Sequence, residues 1–325
     1  MFKQAKVLFL YTETPLHTGS GSSLSVVDLP IQRERHTNLP MVQASGLKGS
    51  LRDYAENKAK NEKDGSAKDL MKNKITLVFG PEKEGSEHAG AISFTDARLL
   101  LFPVRSLKGI FAWVTCPSVL QRFLRDLTIA GLTQTLTVPS VGENEASVTN
   151  SSEVTVDNKV ILEEFSFTAN KSNGADSIAK WLSGNAIPTS TEYSFWKSKI
   201  TKNLVILPDN AFRDFTEFST EVIARIKLNP KKTTGKDPET GESGNLFYEE
   251  HLPSDTLLYS LALASDPLGT KVNGLKSASD VLTFLTSLGI DRFQLGGDET
   301  VGRGIVKLQF LEVKKNGTGK PNTNT

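Results

Sequence analysis

Cysteine occurs once in the 325 residues, at Cys116, so no intramolecular disulfide can form. That fits a reducing cytosol. Cys116 ends the apolar run Phe111-Ala112-Trp113-Val114-Thr115-Cys116-Pro117 and reads as a buried small hydrophobe rather than a nucleophile. An excess of either charge is also missing: 38 basic and 37 acidic side chains leave a formal net charge of +1. A protein that grips a polyanion unaided is usually basic overall. Nucleic acid is therefore reconcilable with this balance only if the basic residues gather on one face. No apolar stretch approaches the length that spans a membrane, so no membrane partner is expected. The patch Val7 to Tyr11 has no small-residue cleavage site after it, so no signal peptide is read and the expected location is the cytoplasm. There is no Gly-x-Ser-x-Gly elbow and no Ser-His-Asp set. The four histidines, His17, His36, His88 and His251, lack zinc-like spacing with another ligand, and one cysteine cannot build a thiolate site. A structural zinc is not expected.

What is present describes an ordinary globular chain, 38% hydrophobic and 23% charged, long enough for one large domain with insertions or for two domains. Ala5 to Thr12 is a β-prone run and reads as the first strand. From Glu13 to Ala44 no periodicity is sustained, and Gly19, Gly21, Pro30 and Pro40 break any regular element. So long a loop in a compact domain is functional or disordered. This one gathers Asp28, Gln32, Arg33, Glu34, Arg35 and His36, which favours function.

A helix is expected from Ser45, a suitable N-cap, with Leu47, Leu51, Tyr54 and Ala55 at helical spacing, followed by a polar, exposed stretch from Glu56 to Asp69. Ala91–Val104 and Gly109–Cys116 read as strands. Pro117 opens a helix with the stripe Val119, Leu120, Phe123, Leu124 and Leu127, and Val160–Thr168 reads as another strand. The order strand, helix, strand, strand, helix, strand matches a split β-α-β unit of the ferredoxin kind, hence an α+β class. Many RNA-binding modules share that unit and many other proteins do too, so it sets no function. Farther on, Ser219–Leu228 and the run opening at Asn245–Tyr248 suggest a long hairpin whose Pro-, Gly-, Lys- and Thr-rich tip, Asn229–Gly244, is mobile. Thr256–Ala264 reads as a buried segment, Ala278–Leu288 as a helix and Ile305–Val313 as the last strand, before a polar tail, 314–325, expected to be disordered.

Three segments invite chemistry. Gly296-Gly297-Asp298-Glu299-Thr300-Val301-Gly302-Arg303-Gly304 has glycine spacing like a nucleotide P-loop, but lacks the Lys and Ser or Thr and is followed by a strand, so ATP or GTP binding is not expected. It reads as a glycine turn first, or as a loop that lets a phosphate approach beside Arg303. Ser45-Gly46-Leu47-Lys48-Gly49-Ser50-Leu51-Arg52 sets Lys48 and Arg52 one helical turn apart near a helix N-terminus, where free N–H groups favour anions; a plain solvated basic face fits equally well. Asp28 is a candidate ligand for a hard cation, although a loop aspartate is more often a turn-former.

Taken together, Pro15-Leu16-His17-Thr18-Gly19-Ser20-Gly21, Val27-Asp28-Leu29-Pro30-Ile31-Gln32-Arg33-Glu34, the Ser45–Asp53 segment, Pro103-Val104-Arg105-Ser106-Leu107-Lys108-Gly109, Leu246-Phe247-Tyr248-Glu249-Glu250 and the Gly296–Gly304 turn resemble the RAMP superfamily of CRISPR proteins. More narrowly, they resemble the repeated backbone subunit of the type III-B (Cmr) effector complex. The resemblance covers almost the whole chain. It implies a single RAMP-type domain, 1–313: a ferredoxin-like (RRM-like) palm with inserted helical segments and a β-hairpin thumb at about 222–253. It implies a filament of copies along guide CRISPR RNA, other Cmr subunits beside it, and cleavage of complementary target RNA at regular intervals with a divalent metal, Mg²⁺ or Mn²⁺. It implies catalytic roles for Asp28, which also takes the metal, for His17, and for Glu249 or Glu250 without fixing which. It implies a guide contact at Lys48, and Ser45, Gly46, Arg52, Gly302 and Arg303 from the same two segments complete the expected RNA-binding set. A non-catalytic RNA-binding backbone and a stand-alone guide-processing endoribonuclease remain as alternatives.

Overall fold

The structure, a computed structural model, describes residues 2–22, 26–81, 88–229, 235, 244–269 and 272–312. The supposed mobile hairpin tip falls largely outside these residues, and the polar tail 314–325 falls wholly outside them.

Along the chain run β1 (Gln4–Thr12), β2 (Met41–Val42), α1 (Ala44–Lys60), α2 (Gly65–Phe79), β3 (Ile92–Phe94), β4 (Ala97–Arg105), β5 (Phe111–Thr115) and α3 (Pro117–Ile129). Next come β6 (Glu145–Val148), β7 (Thr155–Val156), β8 (Lys159–Leu162), β9 (Phe165–Lys171), α4 (Asn173–Asn185), α5 (Ser194–Asn203), β10 (Leu204–Ile206) and α6 (Asp209–Phe218). The last third holds β11 (Glu221–Lys227), β12 (Asn245–His251), β13 (Leu257–Ala264), α7 (Ala278–Ser287), β14 (Arg292–Gln294) and β15 (Ile305–Phe310).

A strand covered on both faces reads as an unbroken apolar run, and β1 is buried continuously from Val7 to Thr12. Two antiparallel neighbours flank it: β13, from Gln4↔Ala264 to Tyr11↔Leu257, and β15, from Leu8↔Phe310 to Thr12↔Val306. Beyond β13 the same sheet continues through β4, β5, β10, β6, β9, β8 and β7, and β14 closes the other edge. Most pairings are antiparallel; β5–β10 and β6–β9 are parallel. The class is α+β. The strands beside β1 are β13 and β15, from the far end of the chain, which an apolar run alone does not reveal because it says what is buried but not which partner covers it.

Helix α1 starts at Ala44 with Gln43 as its cap, two residues before the expected Ser45 cap. The reason lies elsewhere in the chain: the Asp96 carboxylate accepts the Ala44 N–H at 2.8 Å, satisfying a donor that a local cap would otherwise take. Leu47, Leu51, Ala55 and Ala59 bury its apolar stripe. Pro117 opens α3 as expected. A reciprocal Ser277–Asp280 capping box opens α7. Helices α2, α4, α5 and α6 were not anticipated. No helix among the described residues is long and apolar enough to cross a membrane.

Strands β11 and β12 stand apart as a two-stranded ribbon, paired from Glu221↔His251 to Lys227↔Asn245. Side chains alternate along a strand. Val222, Ala224 and Ile226, opposite Glu250, Tyr248 and Leu246, therefore share one face. Val222, Ile226, Leu246 and Tyr248 are all exposed there.

Candidate functional site at the base of the hairpin

The long loop after β1 docks on β12. Its segment around Leu29 runs parallel to the strand: Leu29 N–H donates to the Tyr248 carbonyl at 3.0 Å and Glu250 N–H to the Leu29 carbonyl at 3.0 Å. The Asp28 carboxylate accepts the Tyr248 N–H at 2.8 Å. Asp28 is thus half-buried where loop and hairpin meet.

Glu250 is committed to holding that junction. One oxygen accepts from Arg33 at 2.6 Å and from the Thr220 hydroxyl at 2.9 Å, the other from the Ile31 N–H at 3.0 Å. Glu249, on the opposite face of β12, accepts from Arg225 at 2.6 Å through Oε2, while its Oε1 lies 3.6 Å from His17 Nε2. His17 Nδ1 is 2.7 Å from the Glu250 carbonyl. The carbonyl can only accept, so Nδ1 carries a proton, and in the neutral ring Nε2 is the nitrogen with the lone pair.

The glycine turn closes over His17. Gly297 N–H donates to the His17 carbonyl at 2.8 Å, and Gly304 N–H to the Pro15 carbonyl at 2.9 Å. A Cβ on Gly296, whose φ is +77°, would lie 2.2 Å from the His17 carbonyl oxygen. The glycine at 296 therefore answers a close approach of backbone to backbone. Asp298, at φ 64° in the left-handed region, shares Arg225 with Glu249 and turns its Oδ2 towards His251 Nε2 at 3.4 Å. Burial alone would push the Asp298 carboxyl up, but the hydrogen bond and charge of Arg225 hold it below the usual range. Burial pushes the His251 imidazole down. His251 is 1% exposed, and neither of its nitrogens has a hydrogen-bond partner.

His17, Glu249 and His251 thus meet, with one ligand atom from each within 4.8 Å of the others. Sequence spacing missed this because His17 and His251 are far apart in the chain. His17 was a candidate from the sequence; His251, Arg225 and Asp298 were not. One signal was available: in a strand, Glu249 and His251 stand two apart and so share a face.

The remaining sequence candidates lie elsewhere. Lys48 Nζ donates to the Ile92 carbonyl at 3.0 Å, and its pKa is lowered by burial and by the neighbouring Arg52. Arg52 bonds Glu56 at 2.6 Å and the Gly80 carbonyl at 3.0 Å. Ser45 and Gly46 are exposed in the first turn of α1. In the glycine turn Gly302 is exposed at φ +77°, and Arg303 faces Glu221 at 3.5 Å.

A family model described as the RAMP superfamily matches residues 9–307. The chain is 43% identical over 321 residues to the CRISPR system Cmr endoribonuclease Cmr4 of Pyrococcus furiosus, covering 97% of this chain and 98% of that one. It is 28% identical to the CRISPR system CMR subunit Cmr4 of Saccharolobus solfataricus, over 94% and 96% of the two chains. Its fold resembles that of oligomeric Cmr4 from Pyrococcus furiosus, with a TM-score of 0.69, 36% identity, and coverage of 94% and 98%.

Proposed function

The chain belongs to the RAMP superfamily, and from that premise we propose that it is a repeated backbone subunit of a type III-B CRISPR effector complex. It binds guide CRISPR RNA, packs against further copies of itself and other Cmr subunits, and cleaves complementary target RNA beside Asp28. The similarity to a Cmr endoribonuclease over nearly the full length of both chains supports this reading. The palm reading is supported by the order β15-β1-β13-β4, with α1 between β1 and β4 and α7 between β13 and β15, which is the strand order of a ferredoxin-like sheet.

The single observation that carries the reading is the placement of Asp28 against the hairpin base, one backbone hydrogen bond from Tyr248. The exposed apolar face of that hairpin, Val222, Ile226, Leu246 and Tyr248, suits insertion between stacked bases. A nucleotide displaced there loses A-form geometry, and its 2′-hydroxyl can swing in line with the adjacent phosphate. Asp28 accepts the 2′-hydroxyl proton. The 2′-oxygen then attacks phosphorus as the bond to the 5′-oxygen breaks, the leaving 5′-oxygen takes a proton from solvent water, and the products are a 2′,3′-cyclic phosphate and a 5′-hydroxyl. Asp28 also fits a hard divalent ion, Mg²⁺ or Mn²⁺, since such ions take one or two carboxylates and fill the rest with water. When bound, that ion supplies positive charge to the phosphate oxygens. The exposed Ser45 and Gly46, with Lys48, Arg52, Gly302 and Arg303, form the RNA-contacting set of this proposal.

The test is Asp28→Ala in the reconstituted complex. Guide RNA binding is retained and target cleavage drops by at least about a hundredfold. Cleavage at the wild-type rate would remove Asp28 from the mechanism.

A further inference from the structure

We propose that His17, Glu249 and His251 form a buried site for a borderline divalent transition ion, Zn²⁺ or Co²⁺ in chemical class, with Asp298 beside His251 at its edge and separate from the ion proposed at Asp28. Ion binding at this site does not depend on the RNA-cleavage reading.

The donor set is the first argument. Two imidazoles with carboxylates suit a transition ion, whereas Mg²⁺ prefers oxygen and water. Spacing is the second. Ligand atoms each roughly 2.1 Å from a tetrahedral ion lie about 3.4 Å apart. Glu249 Oε1 stands 3.6 Å from His17 Nε2, and Asp298 Oδ2 stands 3.4 Å from His251 Nε2. The Asp298 Oδ2–His251 Nε2 pair makes no hydrogen bond.

The groups around the cluster complete the case. The Glu250 carbonyl accepts from His17 Nδ1 at 2.7 Å, which fixes the tautomer with Nε2 turned inward; metal-binding histidines are oriented in this way. Arg225 takes Glu249 Oε2 and Asp298 Oδ1, so the other oxygen of each carboxylate faces an imidazole. Burial otherwise demands partners for polar groups, yet both His251 nitrogens and Asp298 Oδ2 are buried without one. An ion among the three would give His251 the partner that the fold leaves out. It would also tie the loop after β1, the hairpin base and the glycine turn to one another, three segments widely separated in sequence.

The experiment uses the purified full-length chain, stripped with chelator and dialysed against Co²⁺. Expected are one retained Co²⁺ per chain by elemental analysis, a visible absorption band of low-coordinate Co²⁺, and a higher melting temperature with the ion than without. Glu249→Gln, His17→Gln and His251→Gln each weaken Co²⁺ binding tenfold or more, with circular dichroism confirming the fold. Asp28→Ala binds Co²⁺ as the wild type does. Three results would each overturn the proposal: no retained ion and no band in the wild type, wild-type affinity in the folded ligand variants, or displacement of Co²⁺ by equimolar Mg²⁺. The wild-type measurements decide even if a variant fails to fold. Absence of Co²⁺ binding together with loss of cleavage in Asp28→Ala sinks this site and leaves the cleavage reading standing.

Discussion

Glu249 and Glu250 are neighbours in β12 and serve opposite faces of it. Glu250 closes a buried ion pair with Arg33 at 2.6 Å, while Glu249 turns towards His17 and Arg225. The sequence offers two adjacent acids of equal appearance; strand alternation separates them into a clamp and a member of the histidine cluster.

Glu250→Ala is therefore expected to destabilise the fold by about 3 kcal/mol or more, because it strands the mostly buried Arg33 and removes the acceptor of the Ile31 N–H. Urea denaturation of the isolated chain measures this. A loss below about 1 kcal/mol would show that Arg33 finds another partner.

The glycine turn yields a paired comparison. Gly296→Ala combines a positive φ with a Cβ set 2.2 Å from the His17 carbonyl oxygen, whereas Gly302→Ala has the same φ of +77° and nothing within 4 Å. The second substitution should cost about 1–2 kcal/mol of backbone strain alone. The first should cost about 3 kcal/mol or more. Equal melting temperatures would contradict the backbone contact.

Acid should act in part through Glu34. Burial alone would raise its pKa, but hydrogen bonds from Thr37 and Arg122 and the charges of Arg122 and Arg98 lower it below the ordinary 4.5. The folded state thus holds the proton less readily than the unfolded state. The stabilisation is complete above about pH 4.5 and is lost as pH falls through the folded-state value. Between about pH 5 and pH 3, wild-type stability should fall more steeply than that of Glu34→Gln. Parallel pH profiles from urea titrations would dismiss the assignment.

Lys48→Ala should weaken guide RNA binding and reduce the logarithmic salt slope by about 0.7–0.9, the loss of one phosphate contact. Lys48 Nζ already donates to the Ile92 carbonyl, so it has two further protons for a phosphate. A slope equal to the wild type's would leave Lys48 a purely structural donor.

Local signals carried the reading where the physics is local. The run through β1, Pro117 at the head of α3 and the strands of the hairpin were legible because each depends on its own residues. The start of α1 was misplaced because Asp96, some fifty positions away, supplies its cap. Asp28 stood out as part of a charged loop, but its Tyr248 contact is tertiary. His251 and Asp298 carried no motif at all: what marks them is burial without a hydrogen bond, a property that exists only in the folded chain.

The central position of β1 also has a consequence on the ribosome. Both of its ladder partners, β13 and β15, belong to the last quarter of the chain. At roughly 5–20 residues per second, an emerging β1 waits about 12–50 s before its first partner has been made. During that interval its apolar residues, Val7 to Tyr11, have no sheet to join.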